Sequence, residues 1–138
     1  MNLPEPILQP IPGEDKLWIL HEDFVTEVLG CRITVKRDFK TDGASIPRLA
    51  WIVGHPFEGK TMPGAVVHDG LYSSELMPRD KCDMIFKILL DRYKESDIKA
   101  TVYYRAVRMF GWLTWRTHTG QSIHAARKFV SIEDHESA

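Results

Sequence analysis

Apolar and polar residues alternate through "CRITVKRDF" (31 to 39). Cys31, Ile33 and Val35 fall on one side, and Arg32, Thr34 and Lys36 on the other. A period of two marks a half-buried strand. "KLWILHEDFVTEV" (16 to 28) has strand composition with a less regular alternation, and Leu29-Gly30 supplies the turn between the two segments. From residue 64 the period lengthens. A first helix is expected over 64 to 75. A second starts near Pro78, with Asp80 favouring its positive end, and runs through "KCDMIFKILLDRYK". Its apolar positions Cys82, Ile85, Phe86, Leu89 and Leu90 follow the i, i+3, i+4, i+7, i+8 stripe of a helix buried on one face. A third begins after Ser96, a good N-cap, carries Ile98, Val102, Tyr103, Val107 and Phe110, and should end near Gly111. "GQSIHAARKFV" predicts a last helix, and "SIEDHESA" a frayed acidic end.

Proline and glycine punctuate the rest. Pro4, Pro6, Pro10, Pro12 and Gly13 predict an extended arm over residues 1 to 15. "KTDGASIP" (40 to 47) is a loop around the turn dipeptide Asp42-Gly43. Pro47 then opens one or two helical turns that end at Gly54. The expected fold is α+β in a single domain over 1-138. A small amino-terminal antiparallel sheet packs on a bundle of three to four helices, and 112 to 138 form a partly helical tail.

Composition narrows the class. A 138-residue chain buries roughly two thirds of its unfolded surface, enough for one core. With 18 basic and 19 acidic residues the net charge is −1, so no general electrostatic attraction to nucleic acid is expected. Two cysteines, Cys31 and Cys82, are too few for a secreted disulfide framework and read as free thiols. No span approaches the roughly 18 apolar residues of a membrane helix. The first residues lack a signal-peptide pattern, so a cytosolic or particle-packaged protein is expected.

One stretch of the first helix breaks the apolar pattern. "AVVHDGLY" (65 to 72) puts two ionisable groups, His68 and Asp69, where burial is expected, and such groups are costly unless satisfied. His68 and Tyr72 are four apart, and Asp69 and Tyr72 three apart, so all three cluster within one turn. The short link "SSELMP" makes the next helix an antiparallel neighbour, which lets Asp83 reach back to His68. A carboxylate on one ring nitrogen would fix the tautomer of His68 and leave the other as a base. A structural role is the alternative: Asp69 would accept hydrogen bonds from the "TDGAS" loop backbone or pair with Arg48.

Four segments, "FKTDGASIPRLAW", "GAVVHDGLY", "RDKCDMIFKILL" and "YYRAVRMFG", resemble in order an uncharacterised family of phage and prophage proteins, domain of unknown function 1353. That resemblance implies a phage setting, in the host cytoplasm or the virion, and no activity. More distantly, "HDGLY" and "DMIF" resemble the two halves of the His-Asp helix pair of the secreted phospholipase A2 superfamily. This second resemblance implies calcium-assisted hydrolysis of a lipid or other ester. His68 would take a proton from the attacking water, Asp83 would orient His68, and Tyr72 would bond into the carboxylate network. Asp69 would hold the metal, with Asp42 a further ligand from a loop that has one glycine where the superfamily has several.

Other constellations are weaker. Ser45 lacks the nucleophile-elbow context of serine hydrolases and is set aside as a nucleophile. His55 together with His68, Asp69 and Asp83 suggests a transition-metal site, but the spacing is too compact for the known His-Asp phosphohydrolase arrangement. Arg116, His118, His124, Arg127 and Lys128 read as a solvated basic face. Two function classes follow: a small hydrolase centred on His68, Asp69 and Asp83, or a non-catalytic virion or tail-associated module that contacts phage structural proteins.

Overall fold

A computed structural model describes residues 3 to 14 and 16 to 134. It is an α+β fold of two three-stranded antiparallel sheets and a helical layer. In the first sheet β1 (Leu8–Pro10) pairs with β2 (Trp18–Leu20), which pairs with β5 (Lys40–Thr41). In the second, β3 (Phe24–Val28) and β4 (Cys31–Val35) form a hairpin. Leu29 and Gly30 both take positive φ, 53° and 75°, as a tight two-residue turn with the sheet's twist requires. Ile33 and Val35 face the core as the alternation predicts.

The helices are α1 (Met62–Ser74), α2 (Arg79–Arg92), α3 (Asp97–Trp115) and α4 (Gly120–Ala126). Short 3-10 segments at Arg48–Val53 and Gly59–Thr61 precede α1. Helix α1 lies at the centre, touching α2, α4, β4 and the last strand, and nearly every residue from Pro63 to Tyr72 is buried. A helix covered on all sides cannot be amphipathic, so its polar residues face protein. Gly70 lets it approach the second sheet, since a Cβ there would sit 3.2 Å from Val35 and 3.3 Å from Val130. The α2 stripe Cys82, Ile85, Phe86, Leu89 and Leu90 is wholly buried. Burial pushes the Cys82 thiol up to about 12, which leaves it an unreactive core group.

Three expectations need correction. The third helix does not end near Gly111 but continues to Trp115, because Gly111 admits a neighbouring side chain rather than breaking the helix. The last helix stops at Ala126. Beyond it, Val130–Asp134 form β6 on the free edge of β4, with Val130 opposite Val35 and Ile132 opposite Ile33. The unpaired edge of β4 offers backbone groups that this segment satisfies, so the acidic end is a strand through Asp134, and residues 135 to 138 lie outside the described ones. The sheets are otherwise amino-terminal, as expected, with β1 to β5 inside residues 8 to 41 and β6 returning to complete the second. No helix among the described residues is long and apolar enough to cross a membrane.

Candidate functional site

The site grows from α1. His68 and Asp69 are adjacent on the helix, so their side chains diverge by about 100°. His68 turns towards α2 and Asp69 towards the loop after β5. Both are buried, His68 completely.

His68 Nε2 lies 2.7 Å from Asp83 Oδ1. Tyr72 donates to the same oxygen at 2.8 Å. The second oxygen of Asp83 accepts from Arg108 at 2.9 Å, with Arg79 at 3.5 Å. Arg79 also donates to the Val107 carbonyl at 2.9 Å, tying α2 to α3. Burial alone would push Asp83 up, but the His68, Tyr72 and Arg108 hydrogen bonds outweigh it and hold the carboxyl below its ordinary range. Burial lowers His68 against the opposing pull of Asp83, so the imidazole rests neutral with its proton on Nε2, facing the carboxylate.

The other carboxyl is held by the loop. Asp69 Oδ2 accepts from the Thr41 hydroxyl and, at 3.1 Å, from the Gly43 N–H, while Oδ1 is hydrogen-bonded to the Ser45 hydroxyl. Burial, reinforced by the nearby Asp42 charge, raises Asp69 well above the carboxylate range; the Gly43 and Ser45 backbone groups pull the other way and lose. Asp42 itself is exposed and closes an Asx-turn onto the Ala44 N–H at 2.9 Å.

Ser45 joins the two halves. Its Oγ is 3.0 Å from His68 Nδ1 as well as bonded to Asp69. One hydroxyl proton serves two partners, so whichever accepts it, the other must bring a proton of its own. The raised Asp69 and lowered His68 place that proton on Asp69. With the proton so placed, Asp69 would donate to Ser45, Ser45 to His68, and His68 to Asp83. Among the described residues every buried side-chain nitrogen and oxygen has a partner.

A cleft of about 280 Å³ opens on the loop side of this chain. Ser45, Asp69, Thr41, Asp42, Tyr72 and Ser73 line it together with Leu17, Phe39, Lys40, Ala44, Thr114 and His118. His68 and Asp83 lie behind it. His118, assigned by the sequence to a solvated basic face, instead lines the cleft with Nδ1 2.8 Å from Glu75.

The structure thus brings His68, Asp83 and Tyr72 together, and puts Asp69 on the far side of Ser45. The nitrogen of His68 that the phospholipase resemblance would turn to a water faces the Ser45 hydroxyl. The carboxyl groups do not fit a calcium site. Both oxygens of Asp69 are taken by protein groups, and calcium needs six to eight oxygens. Among the described residues no three His, Cys, Asp or Glu side chains converge as metal ligands. His55 stands apart, among Trp18, Trp51 and Phe57, and Arg48 lies over the Trp51 ring rather than against Asp69. Sequence reasoning set Ser45 aside as a nucleophile, read His118 as part of a solvated face, and did not single out Arg108. Only Ser45 carried a signal, as a hydroxyl in the loop already expected to meet Asp69.

A family model described as a protein of unknown function, DUF1353, matches residues 18–107. That span takes in the loop, α1, α2 and most of α3, so Ser45, His68, Asp69, Tyr72 and Asp83 fall inside it and Arg108 and His118 beyond. No curated protein matches the chain, and no solved structure does.

Proposed function

From the premise that the chain belongs to the DUF1353 family of proteins of unknown function, we propose that it is a small hydrolase that cleaves an ester by way of Ser45. The observation that carries this reading is the line Ser45 Oγ, His68 Nδ1, His68 Nε2, Asp83 Oδ1, with contacts of 3.0 and 2.7 Å, opening at Ser45 onto the cleft. A hydroxyl is a weak nucleophile until a base takes its proton, and a base needs a third group to orient it. Here Ser45 gives its proton to neutral His68 as it attacks the carbonyl carbon, and ionised Asp83 stabilises the imidazolium that forms. The leaving oxygen takes its proton from Asp69, which lines the same cleft and holds one. Lys40 is the cation on the cleft wall available to the developing oxyanion. No step passes through calcium. The phage or prophage setting and a cytoplasmic or virion location belong to the proposal, as what the family resemblance implies.

A fluorophosphonate, which reports an activated serine without knowledge of the substrate, tests it. The wild-type protein should become covalently labelled at Ser45, Ser45→Ala should not, and His68→Gln should slow labelling by on the order of 10²-fold or more. Folded wild-type protein that resists the reagent would overturn the reading.

The pairing of every buried side-chain polar atom among the described residues favours a second reading, in which the same groups lock loop, α1, α2 and α3 together in a non-catalytic phage particle module. Ser45→Ala would then lower stability, and no labelling would be seen.

A further inference from the structure

Resting on the hydrolase reading, we infer that His118, held by Glu75, is the base that activates the water which releases the acyl group from Ser45. The need for a second base follows from burial. His68 has no exposed surface, and its two ring nitrogens are spent on Ser45 and Asp83. It can receive the Ser45 proton, but a water in the cleft meets Ser45 and never reaches the imidazole behind it.

His118 has what that step lacks. It lines the cleft that Ser45 and Asp69 line. Its Nδ1 is 2.8 Å from Glu75 Oε2, with side chains only 12% and 24% exposed, so the pair is largely withdrawn from solvent. A carboxylate on Nδ1 fixes that nitrogen as the N–H and leaves Nε2 with its lone pair. Among the described residues Nε2 has no hydrogen-bond partner. The anchoring is firm. Glu75 is the left-handed C-cap of α1, with φ of 48°, and Arg127 donates to the carbonyls of Ser74, at 2.8 Å, and Glu75, at 3.3 Å. The Trp115 ring, 5.7 Å centroid to centroid from His118, packs in turn against Tyr72.

The protons balance. After acylation, His68 holds the proton from Ser45, and Asp69 has given its own to the leaving alcohol. Water attacks the acyl carbon as His118 Nε2 takes one of its protons. The bond from carbon to Ser45 Oγ then breaks, and His68 returns its proton to Ser45. The proton on His118 passes through cleft water to Asp69, which restores the resting state.

The test uses p-nitrophenyl butyrate and the fluorophosphonate on the full chain. His118→Ala should still react with the fluorophosphonate and release a first equivalent of p-nitrophenolate. Its steady-state turnover should then fall by on the order of 10²-fold, with butyrylated Ser45 accumulating in the intact-mass spectrum. Glu75→Gln should show the same accumulation more weakly, and serves if His118→Ala does not fold. Wild-type protein that labels at Ser45, with variants that turn over at the wild-type rate and leave no acyl-enzyme, would overturn the role of His118 alone. Failure of Ser45 to label at all would overturn the hydrolase reading and this inference together.

Discussion

Ser45 Oγ and His68 Nδ1 stand 3.0 Å apart across 23 positions of sequence, and among the described residues that contact is the only side-chain hydrogen bond linking two buried carboxyl systems of opposite character. On one side Asp83 is surrounded by cationic and hydroxyl donors and is ionised. On the other, Asp69 is surrounded by hydroxyls and backbone N–H groups, and burial raises it well above the carboxylate range. The serine lets one line of hydrogen bonds run from a neutral acid to an anion, and predictions for the two carboxyls therefore differ in sign.

Asp69→Asn should be tolerated. The amide can accept from Thr41 and Gly43 and donate to Ser45, as the protonated carboxyl does. Above the ordinary value of 3.8, the unfolded chain has released a proton that folded Asp69 keeps, so the native state binds more protons and stability falls as pH rises towards the raised native value. Asparagine has no such proton. Urea unfolding at pH 4.5 and 8 should show the variant gaining on wild type at the higher pH. A loss of several kcal/mol at pH 8 would mean that Asp69 is ionised.

Asp83→Asn should be severe. It leaves Arg108 without its carboxylate and gives the site one acceptor oxygen where two are used, so an amide N–H must face either Arg108 or the His68–Tyr72 donors, a change that costs about 3–5 kcal/mol when a buried pair loses one partner. The native group titrates below 3.8, so its contribution is fully present above that pH and is lost as pH falls through the depressed native value. Chemical denaturation at pH 7 measures the first effect, and acid titration of wild type by circular dichroism the second.

His68 adds an acid-sensitive slope of its own. Burial lowers it from 6.5, so below that pH the unfolded chain takes up a proton that the native imidazole refuses. Wild-type stability should therefore decline as pH falls from about 6.5 towards the lowered native value, and His68→Gln should lack that part of the slope. Unfolding free energies at half-unit steps from pH 5 to 7.5 compare the two. Parallel curves would show that His68 is already protonated in the native state.

What the sequence disclosed follows from how local each signal is. The β3–β4 hairpin was legible because period-two alternation and Leu29-Gly30 are contiguous, and the α2 stripe because 3.6-residue periodicity is a property of one helix. The approach of His68, Tyr72 and Asp83 needed only helix spacing and a short link. The β6 strand was not legible, since it exists by pairing with β4 from a hundred residues away. Ser45 and His118 were undervalued for the same reason. Neither sits in a motif, and each gains its meaning from a side chain on another element. Gly111 misled because glycine often marks a helix end, whereas here the missing side chain is what matters.

That close approach supports the last prediction. In an exposed helix interior, alanine is favoured over glycine by roughly 1 kcal/mol, so propensity alone makes Gly111→Ala stabilising. The structure predicts the reverse. A Cβ at position 111 would overlap the Tyr72 hydroxyl and fall 3.1 Å from Arg79 Nη1. Tyr72 is buried at the contact, so it can yield only by leaving Asp83, to which it donates at 2.8 Å. Overpacking of this kind costs about 1–3 kcal/mol, and the displaced hydrogen bond adds to it. Tyr72→Phe removes the hydroxyl that clashes and leaves the ring carbon at 3.3 Å, so much of the penalty should vanish when both changes are combined. Urea unfolding of the two single variants and the double variant closes the cycle, with a coupling of about 1 kcal/mol or more expected for groups in direct contact. Additive costs would mean that Gly111 is not there to admit Tyr72.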